Sequence, residues 1–168
     1  MTGVKHFEVK TRIKDIIEAD TTIFNKQGRD GKVKEVFIGW PQDKNLESSK
    51  HQKPYIFISN SSRWEEQQQR GPTTNNVMGS TLHTVRYELF VIDKGVSSAD
   101  VEERVDKLHE KLVITLKKNA TLIKPKAATP PDPKCEKFEL VRTERLNERI
   151  GEKIDGFKIT MELIIITT

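Results

Sequence analysis

The sequence predicts an α+β domain: an antiparallel or mixed β-sheet with two helices packed on one face, a long polar loop and a C-terminal β-hairpin. Three observations predict it. Val85, Tyr87, Leu89 and Val91 alternate with Thr84, Arg86 and Glu88, the period-2 pattern of a half-buried strand. Val101, Val105, Leu108, Leu112 and Leu116 recur at steps of four and three, which aligns them on one stripe of a helix. Phe157, Ile159, Met161, Leu163 and Ile165 alternate again with Lys158, Thr160 and Glu162.

In chain order, residues 4–19 form a first helix, with Val9, Ile13, Ile16 and Ile17 on one face. It should pack beside the second helix. Turn formers at Asn25, Gly28 and Asp30-Gly31 lead into a short strand over 33–40 that Pro41 ends. Residues 54–59 are apolar on both faces and predict an interior strand, more buried than the first. Residues 60–80 carry serines, three glutamines from Gln67, Arg70, Gly71, Pro72 and two asparagines, from which no core can be built. That composition predicts the long polar loop. Trp64 and Met78 stand out within it, either tucked back onto the domain or waiting as anchors for a partner.

The long strand follows from Thr84, and Asp93-Lys94-Gly95 breaks it. Ser97 or Ser98 can then cap a helix whose first turn carries Asp100, Glu102 and Glu103, carboxylates that suit the positive end of the helix dipole. Lys117 and Lys118 suit the other end. Residues 120–134 hold Pro125, Pro130, Pro131 and Pro133 and read as an extended Pro/Lys-rich spacer. Cys135 to Leu146 is a strand, and Gly151 and Asp155-Gly156 supply turn signals that make a hairpin with the last strand.

With 168 residues the chain suits a single domain, 1–168, with one core. A hydrophobic fraction of 35% against 32% charged residues leaves much loop surface wet or covered by partners. No apolar run is long enough to span a bilayer and no signal-peptide order is present, so a soluble protein made in the cytoplasm is expected. The single cysteine, Cys135, allows no internal disulfide and reads as an ordinary thiol. Much of the net charge of +4 comes from lysines in and around the spacer, a local patch that suits phosphate or an acidic protein surface, or a solvated loop.

Chemistry is harder to find. His6, His51, His83 and His109 share no zinc-ligand spacing with cysteine or carboxylate and read as surface or edge residues. Gly28-Arg29-Asp30-Gly31 has the glycines of a turn without the strand and helix context of a nucleotide cradle. Glu65 and Glu66 are adjacent in sequence and so not placed to face each other as an acid–base pair. The sequence therefore points to no catalytic residue, no metal and no cofactor, and to a protein that acts by binding or assembling.

The order of elements resembles the tail terminator (tail completion, neck-type) proteins of long-tailed bacteriophages and related archaeal viruses. The resemblance is carried by the first helix through Ile13, Ile16 and Ile17, the strand over 54–60, the strand over 84–93 running into 95–101, and the closing strand over 156–168. It implies a virion protein, assembled in the host cytoplasm, that forms a homo-oligomeric ring, usually six-fold. Such a ring ends tail-tube growth, joins the tail to the neck or head-completion protein, and lets DNA pass through its lumen without sequence-specific binding. It also implies partner contacts through the polar loop, with Trp64, Arg70 and Met78, and through the basic spacer, with Lys124, Lys126 and Lys134. Another head–tail connector or tube component shares the same assembly logic. A nucleic-acid-binding module fits the basic pI of 9.1, yet it lacks aromatic side chains interleaved with the lysines. A small hydrolase comes last, for want of a nucleophile with a base.

Overall fold

The computed structural model describes residues 3–27, 31–40, 52–70, 79–94, 98–119, 121–122, 134–146 and 154–167, with the backbone alone at 69, 70, 98 and 154. Seven elements follow in the order α1 (His6–Ala19), β1 (Glu35–Ile38), β2 (Tyr55–Arg70), β3 (Ser80–Lys94), α2 (Ser98–Lys118), β4 (Lys137–Arg145) and β5 (Ile154–Thr167). The strands make one sheet in the order β1-β2-β3-β5-β4. β1 runs parallel to β2 and the other neighbours are antiparallel, so the sheet is mixed.

Both helices lie on one face of this sheet. The α2 stripe Val101, Val105, Leu108, Leu112 and Leu116 is buried throughout, as are Val9, Ile13, Ile16 and Ile17 of α1. They meet Val36, Ile56, Ile58, Val85, Leu89, Ile159, Met161 and Leu163 in a single core. Removing this much apolar surface from water is the main favourable term in folding. The helices are tied to each other as well, because the Thr115 hydroxyl donates to the Asp20 carboxylate just beyond α1.

The expected strand at residues 54–59 is deeply buried, with Tyr55, Ile56, Phe57 and Ile58 all at 1% exposure or less. Where the polar composition predicted a loop from residue 60, the chain instead continues as strand to Arg70. A bulge between Asn60 and Glu65 resets the register, after which Glu65, Gln67 and Gln68 pair with Val85, His83 and Leu82. The physical reason is that β3 supplies a full hydrogen-bonding partner, and backbone pairing is indifferent to a polar side chain on a solvated face. Residues 71–78 lie outside the described residues, as does most of the spacer over 120–134.

Asp155-Gly156 is likewise no turn. Gly156 sits inside β5 opposite Ile92, and a Cβ placed there would lie 2.2 Å from the Val91 carbonyl oxygen. Glycine is present because the backbone of β3 passes too close for a side chain. The antiparallel pairing of β4 with β5 follows the expected hairpin, while its connecting residues 147–153 fall outside the described residues. No helix among the described residues is long and apolar enough to cross a membrane.

Candidate functional site

The distal half of β2 leaves the cover of β1, whose pairing ends at Ile58, and beyond Ile164 of β5, where the pairing of β4 ends, β2, β3 and β5 run on as a three-stranded arm. Residues directly opposite in an antiparallel pair share a face, so Glu65 and His83 fall on the helix-covered side with Val85 and Ile165. There they meet His6, the first residue of α1. His6 Nε2 lies 3.0 Å from Glu65 Oε2, and His83 Nδ1 lies 2.7 Å from Glu65 Oε1. The far nitrogens are also engaged, His6 Nδ1 at 2.7 Å from the Tyr87 hydroxyl and His83 Nε2 at 2.8 Å from Thr167 Oγ1.

One distribution of protons satisfies every member of this cluster. An ionised Glu65 only accepts, so each imidazole donates to it, and the remaining ring nitrogens accept from Tyr87 and Thr167. Burial pushes the Glu65 carboxyl up, but the hydrogen bonds from His6, His83 and Gln67 outweigh it and hold the group below the usual carboxylate range. Burial, and then the nearby Glu65 charge, push the Tyr87 hydroxyl well up, so it remains a donor. The cluster clasps α1, β2, β3 and β5 together at the root of the arm. No group of histidine, cysteine and carboxylate suited to a metal ion occurs among the described residues.

Trp64 stands in the bulge beside this clasp, 41% exposed, with its ring edge-on to His6 at 4.6 Å between centroids. It is thus partly tucked back and partly presented. Lys134 does not extend from the protein, since its ammonium lies 3.7 Å from Glu8 of α1 and its backbone N–H donates to the Thr121 carbonyl. Arg70 ends β2, and its side chain is outside the described residues, as are Met78, Lys124 and Lys126. Of the expected contact residues, then, Trp64 and Lys134 have defined surroundings, at α1's beginning but on different neighbours.

The sheet face away from the helices is divided in two. Toward β1, Phe37, Tyr55, Phe57 and Phe90 gather, with Phe57 and Phe90 stacked at 4.5 Å. Trp40 lies over both at 4.9 to 5.0 Å and is 63% exposed. Toward β4 the same face is ionic: Arg86 joins Glu66 and Glu162, and Lys158 joins Glu88 and Glu144. Glu65 and Glu66 therefore do point to opposite faces, as adjacent strand residues must.

The sheet also ends in two unlike edges. On one side the edge is β1 and then, beyond Ile58, the outer flank of β2, neither of which has a strand outside it among the described residues. On the other, β4 carries Lys137, Glu139, Arg142 and Glu144 around an exposed Val141 and a bulge between Leu140 and Arg142. Cys135, just before β4, is buried, and burial followed by the Glu136 charge pushes its thiol up to about 12. It is a poor nucleophile in that state.

Sequence reasoning missed the histidine cluster, having read His6 and His83 as surface or edge residues. The signal was present in the parity of β3, where His83 falls in step with Val85 and Tyr87 on the core face. The sequence matches no model of a known protein family and is significantly similar to no curated protein.

Proposed function

We propose that this chain is a structural virion protein that forms a ring at the head-proximal end of a viral tail, where it ends tail-tube growth and joins the tail to the neck. The observation that carries the reading is a pair of unlike edges on opposite sides of one sheet, β2 beyond Ile58 and β4, neither of which has an outer strand among the described residues. Two different surfaces on one subunit suit head-to-tail contacts, which close into rings when the rotation between neighbours allows it. Free strand edges also offer backbone donors and acceptors to a neighbour. The order of elements supports the same reading, as does the exposure of Trp40, Trp64 and Val141 on surfaces that a second chain could cover.

In this reading the subunits assemble in the host cytoplasm into a ring, usually six-fold, and the partners are the tail-tube protein on one side and a neck or head-completion protein on the other. DNA passes through the lumen without base readout. The test is light scattering and negative-stain imaging of the purified protein, alone and then with tail-tube protein. A ring, or the capping of tubes at one end, is the expected result. A subunit that stays monomeric with tubes present rejects the proposal, and tight, steeply salt-dependent DNA binding by that monomer would favour a nucleic-acid module instead.

A further inference from the structure

Away from both sheet edges, an open cleft of about 720 Å³ lies between the end of β3, the start of β2 and the segment before β1. Its lining residues among those described include five cations, Lys26, Lys34, Lys53, Lys94 and Arg104, and a single carboxylate, Asp93. That carboxylate is 1% exposed and already engaged: Asp93 accepts from Arg104 Nε at 2.9 Å and from the Lys94 backbone N–H at 2.7 Å. Arg104 also donates through Nη2 to the Lys94 carbonyl at 2.9 Å. Its guanidinium is thereby held flat by two partners on one edge, while Nη1 makes no bond to a described residue.

Gly31 completes the support. It adopts φ of +73°, which favours glycine, and a Cβ added there would lie 3.2 Å from Arg104 Cδ, a tight contact that the arginine side chain would have to shift to relieve. Lys26 and Lys94 are exposed on the rim and pair with no described carboxylate. An Asp93–Arg104 pair alone would be a sufficient brace between β3 and α2. It does not account for two further ammonium groups brought to the same opening, where like charges repel unless an anion lies between them.

We propose that this cleft binds a small, multiply charged phosphate compound, with Arg104 as the oriented donor and Lys26 and Lys94 as flanking charges. A planar, pre-oriented guanidinium matches phosphate oxygens through parallel N–H bonds, and lysines act as mobile point charges around it. The cleft has room for more than one phosphate group, so a diphosphate fits it as a probe. The inference stands apart from the assembly reading, since it uses neither sheet edge nor the arm.

The experiment is isothermal titration of the whole chain at low ionic strength with inorganic pyrophosphate, a nucleoside diphosphate and, separately, a short duplex DNA. Saturable one-to-one binding of pyrophosphate is expected. The double variant Lys26→Gln/Lys94→Gln should weaken it at least tenfold, whereas Lys111→Gln/Lys117→Gln, on α2 away from the cleft, should leave it unchanged. Because Arg104 braces Asp93, Arg104→Lys is read alongside its own unfolding curve, and the rim variant keeps the test independent of folding. Equal affinity for the two small ligands means that the oxyanion alone is recognised; tighter binding of the nucleoside diphosphate adds a base contact to the same site. No saturable binding at millimolar pyrophosphate overturns the proposal, as does equal weakening by the two double variants or binding confined to duplex DNA.

Discussion

Glu65 is a carboxylate in a strand that composition alone makes look like solvent. Its two oxygens each receive an imidazole, and those imidazoles belong to α1 and β3. Replacing it with alanine would leave the donor of His83, a residue 3% exposed, facing no acceptor. An unsatisfied buried donor costs about 1–3 kcal/mol, so Glu65→Ala should lower the midpoint of thermal unfolding by several degrees. The pH dependence follows from the direction of the shift. A carboxyl held below its unfolded value contributes stability that is fully present above that value, about 4.3, and is lost as pH falls through the folded one. Stability should therefore drop in the acid range below about pH 4. Glu65→Gln should remove part of this acid slope, the remainder including Asp20, where burial acts against, and is outweighed by, hydrogen bonds from Thr115 and Thr22. Thermal unfolding followed from pH 7 to pH 3 checks both, and an unchanged slope in the glutamine variant would show that Glu65 does not titrate with folding.

At the scale of elements, α2 was legible because its apolar stripe is uninterrupted, and every residue of that stripe is buried. Leu112→Ala at 1% exposure should cost about 2–5 kcal/mol, read from chemical or thermal unfolding, with a value near zero showing that the stripe is not in the core. β3 and β5 were legible for the same reason, a period of two carried over many residues. β2 was legible only where it is apolar. From Ser61 to Arg70 its strand character comes from β3 beside it, and pairing across the sheet leaves no mark on the sequence of the paired strand. The histidine cluster escaped for a related reason: His6, Glu65 and His83 are far apart in the chain and are brought together by the β2–β3 register and by the packing of α1 on the sheet. Gly156 misled in the opposite way, because an Asp-Gly pair is a turn signal locally and here marks a close approach of two strands. Arg104 and Gly31 belong to the same class, each unremarkable until α2 and the turn before β1 are set side by side.

For the whole molecule, the arrangement that matters is one sheet covered on one face by two helices and ended by two edges of different character. The β4 edge is charged around Val141, a pattern that discourages unselected strand pairing. A specific neighbour can still add there if its own edge matches, and the outer flank of β2 near Trp64, bulged between Asn60 and Glu65, is selective in the same way. If head-to-tail contacts use these two edges, changes at either should block assembly while leaving the subunit folded, since Val141 and Trp64 are 55% and 41% exposed and contribute little to the core. Val141→Lys and Trp64→Ala are thus expected to shift the oligomer seen by light scattering toward the monomer, with the unfolding free energy of Val141→Lys within about 0.5 kcal/mol of the parent, the usual range for surface substitutions, and that of Trp64→Ala lower because its ring also packs on His6. Mixing supplies the sharper measurement. In a ring built from two unlike surfaces, a subunit damaged at β4 keeps an intact β2 flank, so the two variants together should form dimers through the one undamaged pair of edges but no closed rings. A symmetric two-fold interface would behave differently, because pairing of one edge with its own copy is spoiled only by the variant on that edge, and the other variant would still dimerise alone. Recovery of dimers on mixing therefore separates head-to-tail closure from two-fold pairing, and unaltered rings in both single variants would move the interface away from the sheet edges.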